Sequence, residues 1–405
     1  AEVATVLRTL QDSHSSLNLG ALLRPYIADD GKVMQFRIFS PDSSTHLIKS
    51  DVLNLIPKGS KVISVNGQPF QSVYDHALRH ALQEGNSPEG ILAISDALAV
   101  PMTGVSIELK NGNEIVYLDP EGKQASVNYP AKTSKDWKKW RKQNKDLWPK
   151  KERYELSYPH DSVAVMRIST FGAPKGGEYY KFIHKSFKEL TKENIPNLII
   201  DLRHNTGGKG HRMERLFSHV NEDTLRLPSS IIAKQSPTAR KLHAKSFKGI
   251  NKFVLTKLRK KNEDAVNYVR LVTLEDGQTD TLYYMDDYNF PKHRYKGNVV
   301  LLIDGLSGSA SVVFASGFRQ TSRGKIYGQP CLGPIEGTWG NPSRVALDST
   351  GVQVVLSTIR FNANNTFKSD PTPIQPDVLF VPDQNSLAKE EDALIEMVLR
   401  DLGLR

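Results

Sequence analysis

The chain has 405 residues, 39% apolar and 24% charged, with 28 Gly and 22 Pro; this balance excludes collagen-like, low-complexity and wholly disordered classes and leaves room for two or three structural units. Its longest apolar runs, such as Val299 to Ile303 and Ala97 to Met102, are far shorter than the roughly 20 residues of a membrane-crossing helix. A single cysteine, Cys331, excludes an intrachain disulfide framework and a multi-cysteine zinc site, and a net charge of +10 favours acidic partners at long range without specifying chemistry.

The chain begins Ala1-Glu2-Val3 rather than with Met, as a mature product would after signal-peptide removal and as a trimmed chain would; a periplasmic or secreted location is the expectation. Val3, Leu7 and Leu10 recur at helical spacing, which predicts a helix over the first dozen residues ending near Asp12-Ser13-His14-Ser15. Residues 1–39 read as an N-terminal helical segment. Val62 to Gly67 predicts a strand closing on an Asn-Gly turn, followed by a helix from Val73 to Leu82. Val105 to Leu109 alternates, Asn111-Gly112-Asn113 turns and Ile115 to Leu118 returns, the pattern of a hairpin. Residues 40–130 therefore read as a small β-rich unit.

Residues 131–153 are rich in Lys and Arg and carry Trp137, Trp140 and Trp148 without a continuous core face. They read as a basic linker with a solvated surface, and no nucleic-acid motif accompanies them. From 154 to 405 strands and helices alternate, which implies an α/β domain. Val163 to Ile168 is an apolar strand, Tyr179, Ile183, Phe187 and Leu190 share one helix face, and Leu198 to Leu202 is a buried-type strand. Val299 to Ile303 and Lys325 to Tyr327 supply further strands, with a helix from Ser311 to Phe318 between them.

Two loops that leave these strands carry the residue types of acyl chemistry. In the first, Asp201-Leu-Arg-His204-Asn-Thr-Gly207-Gly208, paired glycines free backbone N–H groups to meet a ligand. In the second, Gly305-Leu-Ser307-Gly-Ser309-Ala310-Ser311, Ser309 falls near a helix N-terminus, where positive partial charge favours an oxyanion; a small-residue run here also reads as an ordinary N-cap. His76 and His80 have metal-ligand spacing but no third partner, so they read as a solvated helix face. The Gly-x-Ser-x-Gly elbow and the Walker spacing are both missing. Asn364-Asn365-Thr366 fits a glycosylation sequon.

Leu198-Ile-Ile-Asp-Leu-Arg-His-Asn-Thr-Gly-Gly208, Ser309-Ala-Ser311 and Gly328-Gln-Pro-Cys-Leu-Gly333 together resemble the core of the tail-specific (C-terminal processing) and tricorn-core serine peptidases. Asp12-Ser-His-Ser15 resembles that family's Asp-Gly-His-Thr element, Lys58 to Gly67 the second half of its PDZ-like segment, and Ile374-Gln-Pro-Asp377 its closing Val-x-Pro-Asp motif. The resemblance implies a crotonase-like or Clp-like α/β catalytic core, a PDZ-like β-rich unit and an N-terminal helical segment. It implies an endopeptidase acting on unfolded or extended polypeptides, with no metal, no cofactor and no nucleic-acid partner, and leaves oligomerisation open.

By the same resemblance Ser309 is the nucleophile, and the backbone N–H groups of Gly207 or Gly208 and of Ala310 form the oxyanion hole. The Ser-Lys branch carries Gly-Lys where this chain has Gly333-Pro334, and Glu where it has Val312. The resemblance is therefore to the histidine-using branch, with His14 as base and Asp370 as the carboxylate that orients it. Asp370-Pro371 also reads as an ordinary turn, and His204 stands as an alternative base. Interphotoreceptor retinoid-binding protein modules share this fold, so a non-catalytic ligand-binding protein is the alternative function.

Overall fold

Strands whose apolar residues run without interruption must be covered on both faces, and the middle of this molecule is built that way. The computed structural model describes residues 2–17, 31–147, 152–173, 176–222, 225, 227–239, 274–283, 290–363 and 371–404. Its central sheet runs Tyr154–His160, Val163–Ile168, Asn197–Asp201, Asn298–Ile303, Ile326–Gly328, Val378–Leu379; the first pair is antiparallel and the rest are parallel. Alternate residues face opposite ways along each strand. Ala164, Met166, Leu198, Ile200, Leu301 and Ile303 enter one core with the helices Gly176–Lys192, Gly210–Val220 and Ala310–Gln320. Val163, Val165, Ile199, Val300 and Leu302 enter a second core, against Leu394, Val398 and Leu399 of the C-terminal helix Ala393–Asp401.

Residues 36–130 contain another sheet, antiparallel, in the order Phe36–Phe39, Leu47–Asp51, Lys61–Val65, Gly112–Leu118, Gln124–Pro130. The helix Phe70–His80 buries Phe70, Val73, Tyr74 and Ala77 in its core. Val105 to Leu109 is not a strand: Val105 and Ser106 end a nineteen-residue helix, Pro88–Ser106. Ser87 caps that helix by accepting from the Gly90 N–H, and Pro88 opens it with a preset φ, so a long helical nucleus overrides five residues of local alternation. The hairpin forms one element later, between Gly112–Leu118 and Gln124–Pro130.

The basic segment also differs from the sequence expectation. Ser134–Gln143 is a helix whose buried Trp137 donates from Nε1 to the Val33 carbonyl at 2.7 Å, so one indole docks it while its lysines stay exposed. At the start of the chain the helix spans only Glu2–Arg8, and Gln11 turns at φ 50°. Ser16–Leu17 then pairs with Gln353–Leu356, which brings Asp12 to Ser15 beside the C-terminal half of the chain. Among the described residues no helix is long and apolar enough to cross a membrane.

Candidate active site

Strand Asn298–Ile303 ends in a loop that delivers Ser309 to the head of the buried helix Ala310–Gln320. Ser309 has φ 52° and ψ −119°, a conformation a non-glycine residue holds only when its surroundings enforce it. The surroundings are tight. Gly207 has φ 102°, and a Cβ on it would lie 2.5 Å from the Ser309 Cβ. Asn205, fully buried, stitches the two loops: its carbonyl accepts from the Gly308 N–H (3.0 Å) and the Ser311 hydroxyl (2.8 Å), while its amide donates to the Ile168 carbonyl (2.9 Å).

The Asn205 Oδ1 also accepts the Gly207 N–H at 2.9 Å. That N–H is therefore taken up inside the loop. Among the described residues the N–H groups of Gly208 and Ala310 make no hydrogen bond, which leaves two unpaired donors on these loops.

On the other side of the site, the Asp12 carboxylate accepts from the His14 backbone N–H (2.9 Å) and the Ser15 hydroxyl, shaping a tight turn around the imidazole. His14 Nδ1 lies 3.5 Å from Glu84 Oε2 and 3.7 Å from Asp12 Oδ1. Burial by itself lowers the imidazole pKa, but the Asp12 and Glu84 carboxylates outweigh it and push it up to about 10. Glu84, 1% exposed, is held by the Ser13 and Thr338 hydroxyls and by the Trp339 N–H at 3.0 Å.

Glu84 is the functional candidate that sequence reasoning missed. It lies 70 residues from His14 in a polar loop between two helices, and nothing local distinguishes it from a solvated glutamate. Asp370, to which the resemblance gave the orienting role, lies outside the described residues, as do Trp148 and the Asn364 sequon.

The Ser309 helix and the carboxylate beside His14 flank one turn, at Gly333. A Cβ on Gly333 would sit 3.1 Å from Val312 Cγ2, in the first turn of the Ser309 helix, and 3.6 Å from the Glu84 carboxyl carbon. The turn at Gly333-Pro334 thus lies between the Ser309 helix and the carboxylate beside His14. No hydrogen bond joins His14 to Ser309 among the described residues. His204 is occupied on both ring nitrogens, by Asp304 and Lys49, which removes it as a base. His76 and His80 stack on each other at 5.1 Å, and no metal-binding group of three ligands occurs among the described residues.

A mixed sheet with helices on both faces carries a serine held at strained geometry at a helix head beside a glycine loop, an α/β arrangement. The sequence profile of Peptidase family S41 matches residues 162–380. The chain belongs to that family, which contains the tail-specific and tricorn-type enzymes, and is a serine-type peptidase. Its fold is similar to that of mature CPAF (TM-score 0.61, 13% identity, covering 99% of this chain and 86% of that one). A CPAF point mutant matches likewise (TM-score 0.64, 13% identity, 98% and 87%). At this identity the likeness is one of fold.

Proposed function

We propose that the protein is an endopeptidase that cleaves unfolded or extended polypeptides with Ser309 as nucleophile and His14 as base. In this reading the Ser309 Oγ attacks the scissile carbonyl carbon and His14 Nε2 takes its proton. The N–H groups of Gly208 and Ala310 bind the oxyanion of the tetrahedral intermediate. The protonated imidazole then gives its proton to the leaving amine, and water releases the acyl group by the reverse sequence. Glu84 orients the ring through its Nδ1 edge and leaves Nε2 for the serine.

The observation that carries this reading is the strained Ser309 backbone at the head of a buried helix, with the Gly207 backbone packed against its Cβ. Strain at a position where a relaxed serine would cap the helix is retained when the hydroxyl has another use. A fluorophosphonate probe is expected to label one residue, Ser309, as read by intact mass and peptide mapping. His14→Ala should remove nearly all turnover of unfolded casein. Labelling that survives Ser309→Ala, or no labelling where a control serine peptidase reacts, would favour the non-catalytic ligand-binding alternative.

A further inference from the structure

At the two loops that flank Ser309, three charged or titratable side chains from three separated parts of the chain meet in a row. Lys49, on the strand Leu47–Asp51 of the N-terminal sheet, places its Nζ 3.0 Å from His204 Nε2. An ammonium has only donors, so Nε2 must accept and the ring proton must sit on Nδ1. Nδ1 faces Asp304 Oδ2 at 2.5 Å, the partner that tautomer requires. The other Asp304 oxygen accepts from the His204 backbone N–H (2.9 Å), the Leu306 N–H (3.0 Å) and the Ser307 hydroxyl (3.2 Å).

One carboxylate therefore clamps both loops: the glycine loop through His204, three and four residues before Gly207 and Gly208, and the Ser309 loop through Leu306 and Ser307. His204 is held at φ 62°, which an unconstrained histidine adopts rarely. Arg37 and Asp96 from the N-terminal unit and Arg203 from the glycine loop complete the charges around Lys49.

We propose that Lys49, His204 and Asp304 form a positioning relay, in which the Lys49 ammonium fixes the His204 tautomer against Asp304 and so holds the two oxyanion-hole loops at their working separation. None of the three touches the reacting atoms. The relay rests on the peptidase reading above, because it acts on the loops that carry Gly208, Ser309 and Ala310. Displacing a well-placed donor by about 1 Å is enough to slow chemistry by about a hundredfold, while a preformed binding surface elsewhere is unaffected.

The test is the rate of fluorophosphonate labelling of Ser309 in the full chain, measured against probe concentration. Lys49→Met, which keeps the stem and removes the donor, should lower the saturating rate by about tenfold to a hundredfold with little change in the half-saturating concentration and in the thermal midpoint. Lys49→Arg, which keeps a charged donor, should recover most of that rate. His204→Asn tolerates the left-handed backbone but is too short to span both partners, and is expected to show the same loss; it also serves if Lys49→Met does not fold. Since the groups act as a unit, the double variant should lose no more than either single one.

Unchanged labelling rates in both single variants, or additive losses in the double variant, overturn the relay alone. Wild-type protein that is not labelled at Ser309 overturns the peptidase reading and the relay with it.

Discussion

His14 meets two carboxylates at 3.5 and 3.7 Å, distances of ion pairing rather than of short hydrogen bonds, and this pairing governs when it can act as a base. An unperturbed imidazole would switch on activity between about pH 6 and 7.5. With the pKa raised to about 10, the acid limb of the turnover profile is expected above that window. Glu84→Gln removes one of the two charges that raise it. The variant should shift the limb downward and lower turnover at its own optimum by about tenfold or more, because the ring loses an orienting partner. Initial rates on unfolded casein from pH 5 to 10 measure both. An unshifted limb in Glu84→Gln, with a shifted one in Asp370→Asn, would transfer the orienting role to Asp370. For stability the sign is that of a raised pKa: the tether between protonated His14 and its carboxylates is fully present below the unfolded value near 6.5 and is lost as pH rises towards 10. Alkaline solution thus deprotonates His14, the base proposed above, and loosens the segment that carries it.

Helix Gly210–Val220 shows the opposite linkage within a single element. Its His219 is 1% exposed, stacks on Phe187 at 4.3 Å and donates from Nδ1 to the His293 carbonyl at 2.7 Å. Burial lowers its pKa to about 4, against the His293 bond, with Arg215 adding to the burial effect. The unfolded chain therefore takes up a proton below about 6.5 that the folded chain refuses until near 4, and stability falls across that window. At pH 5 the loss amounts to about 2 kcal/mol. His219→Gln should lose correspondingly less stability than wild type between pH 7 and pH 5 in urea unfolding; equal losses would show that His219 is not the group responsible. No element was read from the sequence for this helix, because its apolar stripe of Met213, Leu216, Phe217 and Val220 is short.

At the scale of the molecule, Arg203 joins the glycine loop to the C-terminal helix. Its guanidinium donates to Asp201 (2.9 and 2.7 Å) and to Asp392 (3.0 and 2.6 Å), and Asp392 is the N-cap of Ala393–Asp401. Arg203→Lys keeps the charge but not the planar fork that serves two carboxylates at once. Asp392 is partly exposed and Asp201 is buried, so the cost should fall between that of a surface pair and a buried one, about 1 to 3 kcal/mol. Amide exchange in residues 393–401 should rise ahead of exchange in the central strands. Unchanged protection there would mean that the helix is held by its apolar face alone.

Central-sheet strands were legible in the sequence because their residues are buried on both sides: Leu198 to Leu202 is apolar but for Asp201, Val299 to Ile303 is apolar throughout, and each leads into a loop that contains glycines. The loops that carry Ser309 and the paired glycines could be placed because they leave those strands, whereas His14 was singled out by its family motif alone. Helix Pro88–Ser106 was not, since its dense apolar run hides the helical period, nor was the docked helix at Trp137, whose one buried indole is outnumbered by exposed lysines. Glu84, Asn205 and the Lys49–His204–Asp304 contacts were decided by tertiary structure alone. A carboxylate, an amide or an ammonium takes its role from what packs beside it when it leaves water. Partners 70 to 155 residues apart leave no periodicity along the chain by which to read that role.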